Sequence, residues 1–182
     1  IISARDCDPE VTTSQCRNFK LWRYDARGHG RPANLAEFYA SLSPGVPVCF
    51  MMHGSFVDWE TVREDSRLTN QWLRSPCPGQ PLHVVCFTWP SDDTPKLWLP
   101  IDVAILGRRA GRHALYVAEL ISMIPDDHPI CLLGHSHGAR MTVSTLHVLG
   151  GGTVDGVAFA GGPYHRHRLR AVLAAGAFDH HW

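Results

Sequence analysis

The chain has 182 residues, enough for one domain with a sizeable core. Hydrophobic side chains make up 45% and charged ones 19%, a composition that excludes a disordered chain. Its 17 basic and 17 acidic side chains balance to +0, so no basic field is present to attract nucleic acid or an anionic membrane.

Residues 1–4 read as the end of a first strand. The span 6–18 is polar, holds Pro9 and two cysteines, and reads as a loop. Over 19–24, Phe19, Leu21 and Arg23 alternate with Lys20, Trp22 and Tyr24, which predicts a strand with two usable faces. Residues 27–32 form a turn cluster. They lead into a helix over 34–42, with Leu35, Phe38, Tyr39 and Leu42 at helical spacing. After Ser43-Pro44-Gly45, the continuous apolar run 46–52 predicts a buried strand ending at His53-Gly54-Ser55-Phe56. Asp58 is placed to cap a helix reaching about Leu73, with Val62, Leu68, Trp72 and Leu73 as its inner face. Another buried-type strand, 82–88, ends at Trp89-Pro90-Ser91. A loop with Asp92, Asp93, Pro95 and Pro100 then precedes a long helix over about 102–124, whose stripe is Leu106, Ala110, Ala114, Val117, Leu120 and Ile124.

The stretch 129–149 organises the rest. A short apolar run reaches Gly134-His135-Ser136-His137-Gly138, a G-x-S-x-G pattern, and an amphipathic segment follows. Five letters alone fit any Gly/Ser turn, but strand, Ser between glycines, then helix is the context of a nucleophile elbow. Gly134 and Gly138 remove side chains that would collide in so tight a turn, and Ser136 is left strained and exposed at its tip. The following helix aims its N-terminal amides at the site.

In the tail, 154–160 and 169–174 both qualify as the next strand. The second is preferred, because it leads to Ala177-Phe178-Asp179 and sets a carboxylate at a strand end. Residues 156–163 are then an irregular excursion. His165-Arg166-His167-Arg168 lacks a Cys or carboxylate at ligand spacing and reads as a solvated basic loop, so no metal site is expected. Cys49, Cys86 and Cys131 lie in apolar runs and read as buried thiols. Cys7 and Cys16 could pair, which leaves a cytoplasmic and an exported location both open. No run of about 18 apolar residues is present to span a bilayer.

Strands alternating with helices predict an α/β fold over residues 1–182: a mostly parallel sheet with helices on both faces. Reacting groups in such sheets gather at the carboxyl ends of the strands. His53-Gly54-Ser55, Trp89-Pro90-Ser91, Ser136 and Asp179 all fall at such ends.

His53-Gly54, Trp89-Pro90-Ser91 and His135-Ser136-His137-Gly138, with Arg140 just beyond, resemble the marks of the α/β-hydrolases, and within them of a group of largely uncharacterised bacterial hydrolases. The resemblance spans about residues 46–149. Two positions depart from it: Ser55 stands where a bulky apolar residue is usual, and His137 where Met is usual. The resemblance implies Ser136 as nucleophile, the amides of Ser55 and His137 as the oxyanion hole, and His53 as a group that positions the oxyanion loop. Gly54, Gly134 and Gly138 support them. It implies a carboxylic ester or related small acyl substrate handled through an acyl-enzyme, with no cofactor. The triad order of this fold is Ser, acid, His. Asp179 is the candidate acid, whereas His180 and His181 adjoin it too closely to bridge it to Ser136. The chain therefore reads as incomplete at its C-terminus, with the general-base His beyond Trp182, and as open at its N-terminus. The loop 92–100 is the visible candidate for a lid. Trp89 and Trp98 are candidates to line an apolar pocket, with core packing the plainer use. A non-catalytic α/β-hydrolase scaffold used for binding or assembly is the competing reading. A flavodoxin-like domain is a weaker one, having no use for the elbow glycines.

Overall fold

The computed structural model describes residues 1–8, 10–11, 16, 18–25, 27–95, 98–164 and 167–177. In chain order the elements are β1 (Ile2–Ser3), β2 (Lys20–Tyr24), β3 (Gly30–Ala33), α1 (Leu35–Ala40), β4 (Val48–Met52), α2 (Trp59–Arg74), β5 (His83–Thr88), α3 (Leu99–Ser122), β6 (Ile130–His135), α4 (His137–Leu149), β7 (Thr153–Val154), β8 (Val157–Ala158) and β9 (Leu169–Ala174). Seven strands form one sheet in the order β3-β2-β1-β5-β4-β6-β9. From β1 to β9 the neighbours are parallel, and β2 and β3 add an antiparallel edge. This is the expected α/β class. The parallel strands run 1-3-2-4-5 by chain order, which is not the flavodoxin order 2-1-3-4-5.

β4 is buried at every residue, as a strand covered on both faces must be. Phe50 and Met52 face one way, with Val85, Phe87 and Leu132, into the large core shared with α3 and α4. Met51 and Cys86 face the other way, against Val62 of α2. Helices thus cover both faces. The connection β4–α2–β5 runs to one side of β4, and β5–α3–β6 returns past it with its helix on the opposite face. Such a reversal opens a crevice at the carboxyl ends of the two strands it separates, here β4 and β6.

The helix starts follow the sequence closely. Asn34 and Asp58 accept hydrogen bonds from the backbone N–H of Glu37 and Thr61, three residues on. The six stripe residues expected for this helix are all buried, five of them on α3 and Ile124 just past its end. The helix itself begins at Leu99, earlier than expected, because Pro100 falls in its first turn, where no N–H is needed.

Three expectations are corrected. Part of the turn cluster 27–32 is strand: β3 pairs with β2, and Pro32 is tolerated because β3 is the sheet edge. On α2, Val62 is buried but Leu68 and Trp72 are exposed. They lie roughly a quarter to a third of a turn round the helix from Val62, off the line that meets the sheet. In the tail, 169–174 does join β6, while 153–158 forms a separate hairpin. Its Asp155-Gly156 turn has φ of 49° and 78°, the left-handed pair that a two-residue hairpin requires.

Cys7 and Cys16 are joined by a disulfide. Asp179, His180 and His181 lie outside the described residues, as do His165 and Arg166. Among the described residues no helix is long and apolar enough to cross a membrane.

Candidate active site

Ser136 stands between the last residue of β6 and the first of α4, with φ 54° and ψ −122°. L-residues rarely adopt this region, and holding one there costs on the order of 1–3 kcal/mol. The corner is tied on three sides. Ser136 N–H donates to Ala174 O at 3.0 Å, and Ser136 O accepts from Ala139 N at 3.0 Å and Ala177 N at 3.3 Å. A Cβ on Gly134 would strike Gly138 O and Thr142 Oγ1, and a Cβ on Gly138 would strike the Met52 carbonyl at the end of β4. Both glycines of the motif are therefore demanded by the packing of α4 onto the sheet. The Ser136 side chain remains half-exposed.

The segment after β4 passes directly over this corner. A Cβ on Gly54 would sit 3.0 Å from Ser136 Cβ, so the loop approaches Ser136 as closely as glycine permits. Trp89-Pro90-Ser91 backs the loop. Trp89 Nε1 donates to His53 O at 3.2 Å, Phe56 N to Ser91 O at 2.8 Å, and Ser91 Oγ to Val57 O at 2.9 Å. Trp89 is fully buried and Trp98 is exposed at the start of α3, so Trp89 is a core brace rather than a pocket wall.

Arg5, just past the end of β1, clamps the same region. Its Nε donates to Thr88 Oγ1 at 3.0 Å, and its guanidinium reaches both Asp92 and Val57 O. Arg109 of α3 holds the far side, donating to Pro90 O at 2.9 Å and Asp93 O at 2.6 Å. Sequence reasoning missed both arginines. An arginine in a polar stretch carries no mark of the backbone carbonyls it will serve.

His53 is buried, with Nδ1 2.8 Å from Gly54 O and Nε2 2.9 Å from Thr88 Oγ1. A carbonyl can only accept, so Nδ1 carries the proton and Nε2 accepts from the threonine hydroxyl, which in turn accepts from Arg5. Burial pushes the imidazole down to about 4, and it stays neutral. With both nitrogens engaged, His53 ties the loop after β4 to the end of β5.

The two positions that depart from the resembled pattern meet each other. Ser55 Oγ lies 2.5 Å from Nδ1 of the buried His137. Gly107 of α3 makes room for the ring, since a Cβ there would come 3.3 Å from His137 Nε2 and from Arg140 Nη1. His137 is the first residue of α4, so its backbone N–H points out of the helix's positive end, towards the corner.

Ser136, Ser55, His137, His53 and the three supporting glycines are thus gathered at one sheet edge, and Asp179 lies outside the described residues. Among the described residues no histidine nitrogen hydrogen-bonds the Ser136 hydroxyl, and no group of three His, Cys, Asp or Glu is placed to hold a metal. A groove of about 1260 Å³ between α2 and the β2–β3 hairpin is lined by none of these site residues. The chain matches no family model, no curated protein and no solved structure. The functional reading therefore rests on geometry and chemistry.

Proposed function

We propose that the protein is a serine hydrolase of the α/β-hydrolase type, acting on carboxylic esters or related acyl groups through an acyl-enzyme on Ser136. The observation that carries this is the strained backbone of Ser136, at a strand-to-helix corner that both flanking glycines make possible. Strain at one half-exposed serine is otherwise a cost without a return.

In this reading Ser136 Oγ attacks the acyl carbon. Charge developing on the carbonyl oxygen is met by the backbone N–H groups of Ser55 and His137 and by the N-terminus of α4. The alcohol leaves, and water later releases the acid. The attack requires a histidine base with a carboxylate partner; we assign Asp179 as that carboxylate and place the histidine outside the described residues. Phe56, on the oxyanion loop, and Trp98, Leu99 and Ile101, where α3 begins, are exposed at this sheet edge and suit an apolar acyl group.

The test is labelling of the full-length folded protein by a fluorophosphonate probe. Labelling that disappears in Ser136→Ala supports the assignment, and labelling that persists rejects Ser136 as the nucleophile. The non-catalytic scaffold reading keeps one observation in its favour, the lack of a histidine on Ser136 among the described residues. Failure of the folded wild-type protein to label would select it.

A further inference from the structure

Cys49 of β4 and Cys131 of β6 are register partners in neighbouring parallel strands. Cys131 is also the register partner of Arg170 in β9, so Cys49, Cys131 and Arg170 form one row across three strands. The row lies on the face of the sheet that α2 packs against, the side to which Met51 and Leu133 point. Adjacent strands are about 4.8 Å apart. A disulfide needs Cα atoms about 4.4–6.8 Å apart, a range that in-register partners on neighbouring strands meet.

Both thiols are free, and they face one another across neighbouring strands. They are not equivalent. Cys49 is buried, whereas Cys131 is only half-buried, contrary to the expectation from its apolar run. The adjacent Cys49 thiol and the neighbouring Arg170 charge pull the Cys131 thiol down against the effect of its partial burial, while the adjacent Cys131 thiol and burial push Cys49 up. The more accessible sulfur is therefore the readier thiolate, and a second thiol waits behind it. That is the arrangement of an attacking and a resolving cysteine.

We propose that Cys49 and Cys131 are a redox pair that closes to an intramolecular disulfide on reaction with a low-molecular-weight disulfide. The Cys131 thiolate attacks one sulfur of the reagent, forming a mixed disulfide and expelling the other half as a thiolate, which takes up a proton. The Cys49 sulfur gives up its proton and attacks Cys131 Sγ, and the second half of the reagent leaves as a thiol. The two protein thiols lose two electrons and two protons, and the reagent is reduced to two thiols. The product ties together the two strands whose carboxyl ends carry Ser55 and Ser136.

The experiment uses the full chain with Cys77→Ser, which removes the exposed thiol, incubated with oxidised glutathione under native conditions. Free thiols should fall from three to one, and peptide mapping should recover a Cys49–Cys131 bridge that dithiothreitol reopens. Adding Cys49→Ser should stop the reaction at a stable glutathione adduct on Cys131, and adding Cys131→Ser should abolish it. A bridge to Cys86, a glutathione adduct on Cys131 that persists while Cys49 is present, or no thiol loss would each overturn the proposal. The mapping in the Cys77→Ser protein decides alone if a further serine variant fails to fold.

Discussion

Ser55 Oγ hydrogen-bonds His137 Nδ1, so the two residues whose amides we propose as the oxyanion hole are held together by their own side chains. Ser55→Ala leaves a buried ring nitrogen without that partner and should cost about 1–2 kcal/mol, read from the urea midpoint. Loosening the two amides should lower kcat with KM little changed. A loss of about 1 kcal/mol of transition-state stabilisation corresponds to roughly fivefold. A fall in stability with kcat intact would mean that the link supports the fold and not the site.

Gly138→Ala should be far more damaging than its size suggests. Its Cβ would meet the Met52 carbonyl, part of the sheet backbone, which cannot swing away as a side chain can. We expect a loss of about 3 kcal/mol or more, or failure to fold. Gly45→Ala is the control: it has open space and only the cost of its φ of 72°, on the order of 1 kcal/mol.

Ser136→Gly should stabilise the protein while removing probe labelling. Relief of backbone strain worth about 1–3 kcal/mol outweighs the extra entropy of a glycine in the unfolded chain, about 0.5–1 kcal/mol. Thermal unfolding measures the net gain, and no gain would mean that the corner is not strained.

The Arg5 clamp divides unequally among its partners. Asp92 is partly exposed, and an ion pair to it is screened by water, so Asp92→Asn should cost under about 1 kcal/mol. Val57 O and Thr88 Oγ1 depend on the guanidinium in less exposed surroundings, so Arg5→Ala should cost about 2 kcal/mol. Lysine carries its donors on a single nitrogen and cannot span partners that Arg5 reaches from three, so it should not rescue. Faster amide exchange at Phe56 in the Arg5 variants, and not in Asp92→Asn, would locate the effect on the loop.

His53 and His113 are both buried, and burial pushes each from an ordinary 6.5 down to about 4. The unfolded chain therefore binds protons that the native one refuses between these values. Their contribution is fully present above pH 6.5 and is lost as pH falls towards 4. Near pH 5 the pair should add close to two protons taken up on unfolding. His113→Phe, which keeps a ring between Trp89 and Tyr116, should flatten the slope of stability against pH by about one proton.

The strands and helices that define the site were legible because they are buried on regular spacings. β4 and β6 read as continuous apolar runs, and α3 reads as a stripe, since each meets the core along its whole length. The elbow was legible because its glycines have no alternative. What was hidden depends on partners distant in sequence. β3 has no apolar pattern, and only its pairing with β2 makes it a strand. The outward turn of Leu68 and Trp72 is set by where α2 meets the sheet. Arg5 and Arg109 act on carbonyls, which no side-chain pattern encodes. The Asp155-Gly156 turn, by contrast, carried a local signal that its neighbourhood of glycines obscured.

The hydrogen bonds from Ser136 N to Ala174 O and from Ala177 N to Ser136 O place the two halves of the elbow far apart along the chain. During synthesis, the turn at residue 136 leaves the ribosome well before the strand that straps it. Its distortion can therefore be locked only after β9 docks. Interactions absent from the folding transition state act mainly on the unfolding rate, so a strap made after the turn it holds is expected to govern how fast the sheet opens rather than how fast it forms.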